Sequence, residues 1–98
     1  MHERVAGFDW DVGNRAKCEK HGVSVAGIEG FFSRPVFIIP EVVRSRGEER
    51  RKAIGKSCSV FLVFTVRERA GKRLIRPVSA RYIHRKEIEH YEKENPDL

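Results

Sequence analysis

Val60-Phe61-Leu62-Val63-Phe64 is a continuous apolar run, resumed at Val66 beyond Thr65. Such a run reads as a strand buried on both faces, and it is far too short to cross a bilayer. In a chain of 98 residues this strand belongs to one domain, residues 1–98. A second core could not bury enough apolar surface to offset the loss of chain entropy.

Glu68-Arg69-Ala70-Gly71-Lys72 has turn character and joins this strand to Leu74-Ile75-Arg76-Pro77-Val78 as a hairpin. Pro77 cannot donate to a ladder, so a bulge or an edge is expected there. Upstream, Val36-Phe37-Ile38-Ile39 between Pro35 and Pro40 favours another strand. Residues 50–56, centred on Ala53-Ile54-Gly55, form a weaker strand candidate, and the polar residues 44–49 read as an exposed loop.

Helical signals occupy both ends. Ala6-Gly7-Phe8-Asp9-Trp10 alternates like a short half-buried strand, and Asp11 then stands as N-cap of a helix over residues 12–21. Lys20 and His21 suit its C-terminal dipole, and Gly22 can take the left-handed conformation that closes it. Ser24 caps a second helix with Val25, Ile28, Phe31 and Phe32 at helical spacing, ended by Pro35 and weakened by Gly27 and Gly30. Ser79 to about Lys93 reads as a third, with Ala80, Ile83, Glu87 or Ile88, and Tyr91 on one stripe, ended by Asn95-Pro96. Strand, two helices, three or four strands, helix is an order without βαβ alternation. It predicts an α+β domain: a small, mainly antiparallel sheet with two N-terminal helices and one C-terminal helix.

The formal charge of +6 and pI near 9.7 attract polyanions, nucleic acid among them, and equally suit an acidic protein partner. Met1-His2-Glu3-Arg4 lacks the apolar segment of a secretory signal, so a cytoplasmic protein without membrane contact is expected. In that compartment Cys18 and Cys58 are expected as reduced thiols.

Cys18 and His21 lie three apart on one predicted helix, but two ligands do not make a zinc site, and neither His84 nor His90 adds a ligand spacing. No metal or cofactor is expected. Gly55-Lys56 and Gly71-Lys72 lack the upstream glycines of a phosphate-binding loop, and no nucleophile elbow is present. What remains is a set of arginines near the predicted sheet: Arg50, Arg51, Arg67, Arg69, Arg76, Arg81 and Arg85. Their planar donor forks suit phosphate oxygens. The plainer alternative is a solvated sheet face whose arginines pair with Glu48, Glu49 and Glu68.

Phe8-Asp9-Trp10-Asp11, Lys20-His21-Gly22-Val23-Ser24, Gly47-Glu48-Glu49-Arg50 with Ala53-Ile54-Gly55, Phe64-Thr65-Val66-Arg67-Glu68-Arg69, and Ile75-Arg76-Pro77-Val78-Ser79-Ala80-Arg81 with Arg85-Lys86-Glu87 and Tyr91 resemble, in order, the BrnT family of toxins. The more familiar family pattern has an Asn and a slightly longer spacing before Lys-His-Gly, where this chain carries Cys18. The resemblance implies a compact relative of the RelE-like ribonuclease fold and cleavage of RNA in the bacterial cytoplasm, inhibiting translation. It also implies neutralisation by a BrnA-like antitoxin, through which alone operator DNA would be met.

Metal-free RNA cleavage can use the 2′-hydroxyl as nucleophile and needs a base, an acid and donors for the phosphorane. Arg67 and Arg81 are the first candidates for the donors, Arg81 because it opens the predicted last helix. His21 and Glu48 are the candidates for proton transfer. Arg50, Arg69, Arg76, Arg85 and Lys20 are expected along the RNA backbone, with Trp10 either stacking on a base or packing in the core. A non-catalytic co-repressor acting through its partner remains the alternative.

Overall fold

The computed structural model describes residues 6–45, 47–56 and 58–95; the expectations attached to residues 1–4 and to Pro96 lie outside them. The elements are β1 (Gly7–Phe8), α1 (Val12–Glu19), α2 (Val25–Phe31), β2 (Phe37–Ser45), β3 (Glu48–Gly55), β4 (Val60–Arg69), β5 (Lys72–Tyr82) and α3 (Arg85–Glu94). They build one five-stranded sheet in the order β1-β5-β4-β3-β2, antiparallel except where β1 runs parallel to β5. The α+β class and the placing of two helices before the sheet and one after it agree with the sequence.

The apolar run of β4 explains the layering. Val60, Leu62 and Phe64 pack with Cys18, Val23, Ile28 and Phe31, so α1 and α2 cover one face. Phe61 and Val63, at alternate positions, join Ile54, Ile83, Ile88 and Tyr91 on the other, under α3. Cys18 is fully buried, and burial pushes its thiol up to about 11, so it serves as a small apolar side chain. At Gly55 a Cβ would lie 2.7 Å from Phe31 Cε2 and 2.8 Å from Cys58 Sγ, which is why β3 can seat α2 so closely.

Local chemistry sets the helix ends. Asp11 accepts a hydrogen bond from the Asn14 backbone N–H while the Asn14 side chain accepts one from the Asp11 N–H, a reciprocal cap at the start of α1. Ser24 accepts from the Gly27 N–H at the start of α2. Gly22, with φ +87°, takes the left-handed turn after α1, but the helix proper stops at Glu19, two residues before the predicted end.

Four other expectations need correction. Residues 79–82 are the last part of β5, not the first turn of a helix: Ser79, Ala80, Arg81 and Tyr82 pair with Val63, Leu62, Phe61 and Val60. Ala80 therefore belongs to the core under α1 and α2, whereas Ile83 and Ile88 belong to the core under α3. Residues 44–49 are not a plain loop, since Arg44 pairs with Glu49 and Ser45 with Glu48 in the β2–β3 hairpin. Nor does Pro40 end β2, which absorbs it in an irregularity between Ile39 and Val43. The β4–β5 turn is only Ala70-Gly71, both with positive φ (+52° and +76°), as a type I′ hairpin requires, and Glu68 and Lys72 are paired in the strands.

The bulge anticipated at Pro77 is present. Val63 pairs with Ser79 and Phe64 with Pro77, so Val78 has no opposite residue. Arg76 lies across from Thr65 and Arg81 across from Phe61, and both point to the same sheet face although they stand five positions apart.

Candidate nucleic-acid cleft

The face that α3 covers at one end is open at the other. There the alternate positions of β4 change from Phe61 and Val63 to Thr65, Arg67 and Arg69. Arg51 pairs with Phe64, which sets Arg50 of β3 beside Thr65, while Arg76 of β5 flanks Thr65 on the other side. Thr65 is 2% exposed. With the first turn of α1 these strands enclose a cleft of about 830 Å³, lined by Asp11, Lys17, Glu48, Arg50, Arg67 and Arg76 among others.

Carboxylates organise the arginines. Arg67 Nη2 donates to Glu48 Oε1 across the strands. Arg76 Nη2 donates to Asp11 Oδ2 at 2.7 Å, so the α1 cap also anchors a cleft arginine. The Asn14 N–H and, next, this guanidinium hold the Asp11 carboxyl below the usual carboxylate range. Behind them, Asp9 Oδ2 lies 3.4 Å from Arg69 Nε, 3.6 Å from Arg76 Nη1 and 4.0 Å from Arg67 Nη1. Arg50 differs: it has no ion pair among the described residues, and its buried Nε has no hydrogen-bond partner.

Of the residues nominated from sequence, Arg50, Arg67, Arg76 and Glu48 converge here, and Arg69 joins through Asp9. The others lie elsewhere. Arg81 is a strand residue, roughly 16 Å along β5 from Arg76 at the usual strand rise. Its Nη1 and Nη2 donate to Glu87 Oε1 and Oε2 at 3.2 and 3.0 Å, and its guanidinium stacks 4.8 Å from the centre of Phe61. Arg85 is exposed and pairs with Glu89 one turn on. Lys20 and His21 are exposed just past the far end of α1, beyond Lys17, the last residue of that helix to line the cleft, and neither lines it. Trp10 packs against the α1/α2 core, and its Nε1 donates to Glu29 at 2.9 Å.

Sequence reasoning missed Asp9, Thr65, Lys17 and the second role of Asp11. The period-2 alternation of β4, Phe61-x-Val63-x-Thr65-x-Arg67-x-Arg69, carries the signal for Thr65. No local pattern brings Asp9 to it, because that contact depends on β1 pairing with β5.

Arg81 and Glu87 make a prediction about acid stability. The Arg81 fork holds the Glu87 carboxyl below its ordinary value, so the pair stabilises the fold above the unfolded carboxyl's titration and loses that contribution as pH falls through the lower folded value. Both side chains are partly exposed, 41% and 39%, so the effect is small. Glu87→Gln should melt slightly below the parent at neutral pH, with the gap closing below about pH 4. Melting curves against pH check this.

Among the described residues no group of three or more His, Cys, Asp or Glu side chains could hold a metal ion, and no helix is long and apolar enough to cross a membrane. Residues 10–87 match the model of a family described as the ribonuclease toxin BrnT of type II toxin–antitoxin systems. The chain belongs to the BrnT toxin family. No curated protein matches it. The BrnT match runs from Trp10, just before α1, to Glu87 in α3, and so takes in every cleft residue named above except Asp9. A type II toxin has an antitoxin as its partner, and the BrnT description makes this a family of ribonucleases.

Proposed function

We propose that this chain is a metal-independent endoribonuclease that cleaves RNA in the cytoplasm and so inhibits translation, and that the cleft of Arg50, Arg67 and Arg76 is its active site. The observation that carries the reading is Arg50, a cation beside two other guanidiniums and, among the described residues, without a carboxylate of its own. A guanidinium kept unpaired next to like charges contributes nothing to the fold that a neutral side chain would not; its use is to meet an anion.

In the reaction the RNA 2′-oxygen attacks the adjacent phosphorus and the 5′-oxygen leaves, giving a 2′,3′-cyclic phosphate and a 5′-hydroxyl end. Arg50 and Arg76, from the strands flanking Thr65, donate to the phosphorane oxygens, where fixed donors act on charge as it develops. Glu48 is the carboxylate that takes the 2′-proton, with Arg67 holding it in place, and water in the open cleft gives the leaving 5′-oxygen its proton. Lys17 and Arg69 attract the backbone on either side. A BrnA-like antitoxin neutralises the toxin by covering this positive face, and operator DNA is met only through that partner.

The test is expression without the antitoxin, together with cleavage by the purified chain in EDTA. Growth arrest and chelator-resistant production of cyclic-phosphate ends are expected. Activity lost to EDTA and restored by a divalent ion would reject the metal-free chemistry. Neither arrest nor cleavage would leave the co-repressor as the function.

A further inference from the structure

Asp9 follows the last residue of β1, and its backbone is fixed on both sides. Its N–H donates to the Ile75 carbonyl of β5 at 2.8 Å, and its own carbonyl accepts from Asn14 Nδ2 at 2.9 Å. The residue is 9% exposed, yet Oδ2 has no hydrogen-bond partner. It lies instead at 3.4 to 4.0 Å from nitrogens of three guanidiniums, those of Arg69, Arg76 and Arg67, on two strands. A buried carboxylate normally takes short, directional hydrogen bonds. One that stands slightly too far from three cations attracts each without using up the donors of any.

We infer that Asp9 is a positioning residue: a rigid buried carboxylate that gathers Arg67, Arg69 and Arg76 by charge without itself accepting a hydrogen bond from any of them, behind the Arg67–Glu48 and Arg76–Asp11 pairs. The inference rests on the cleft being the ribonuclease site. Without the carboxylate, Glu48 and Asp11 still hold one nitrogen each of Arg67 and Arg76, but the three like charges on neighbouring strands repel one another and the cluster loosens. The cleft then becomes more positive but less ordered, and a displacement of about 1 Å costs on the order of 100-fold in rate. Binding and turnover therefore move in opposite directions, which a residue needed only for folding would not produce.

The experiment is Asp9→Asn, near-isosteric but neutral, compared with the parent and with Asp9→Glu on a short RNA. Melting first confirms a folded protein. For Asp9→Asn, kcat is expected to fall about 100-fold while KM stays level or drops; Asp9→Glu, which restores the charge, recovers part of kcat. In the free protein, the 15N guanidinium signals of Arg67, Arg69 and Arg76 should broaden in Asp9→Asn while that of Arg50 stays unchanged. Unchanged kcat, or a KM increase alone, overturns the inference. If the parent itself cleaves no RNA, the ribonuclease reading has failed and the guanidinium signals alone decide whether Asp9 orders the arginines. If Asp9→Asn does not fold, Asp9→Glu decides: at least part of the parental kcat together with parental guanidinium signals supports positioning by charge, and loss of both overturns it.

Discussion

Arg50→Gln should lower the rate of RNA cleavage about 100-fold while leaving the melting temperature nearly unchanged. Arg50 engages no carboxylate among the described residues, so its removal breaks no ion pair of the folded protein. Substitutions without such a partner usually stay within about 0.5 kcal/mol. Its planar fork supplies two donors at once to a phosphate, and Arg50→Lys, which keeps charge but not geometry, should recover only part of the loss. Arg81→Lys is the control. Its fork is occupied by Glu87 and its face by Phe61, so that variant should cleave as the parent does. Single-turnover cleavage and thermal melting of the three variants decide the matter. Full activity of Arg50→Gln, or loss of activity in a folded Arg81→Lys, would move the site to the other end of the sheet.

A large loss of stability is expected at Asn14, which is 5% exposed. Its Nδ2 donates to the carbonyls of Asp9 and Pro77, both at 2.9 Å, and its Oδ1 accepts from the Asp11 N–H at 2.7 Å. One side chain thus ties α1 to the end of β1 and to the bulged part of β5. Asn14→Ala leaves three backbone groups without partners and should cost about 3 kcal/mol, a drop in melting temperature of roughly 12–20 °C in a domain of this size. Asn14→Asp should rescue nothing, because it turns oxygens toward two carbonyls. A loss below about 1 kcal/mol would mean that water replaces these bonds, and that Asn14 is not the tie described.

How much could be read beforehand depended on the range of the forces involved. The caps at Asp11 and Ser24, the turn at Gly22 and the central strand follow from neighbours within a few residues, and all are found. Residues 79–82 went wrong because Ala80, Ile83 and Tyr91 happen to fit a helical period, while the partner that makes them a strand, residues 60–63, lies some twenty positions away. Arginine chemistry was legible, but convergence was not. Arg50, Arg67 and Arg76 meet only because three strands align, and Arg81, nominated on a mistaken helix start, is bound to Glu87 instead.

The unpaired Val78 decides which face the first half of β5 presents. Were Val78 instead to pair with Phe64 and the strand to run without interruption, residues 72–77 would exchange faces relative to residues 79–82. Arg76 would then turn into the apolar layer under α1, and Ile75 and Pro77 would turn out into the cleft. Deleting Val78 is the harmless change, because Ser79 already meets Val63 and Pro77 already meets Phe64, and the shorter strand keeps Arg76 opposite Thr65. A toxin that ironed out the bulge at full length would keep every arginine in its sequence and lose the arrangement that gives them a common target.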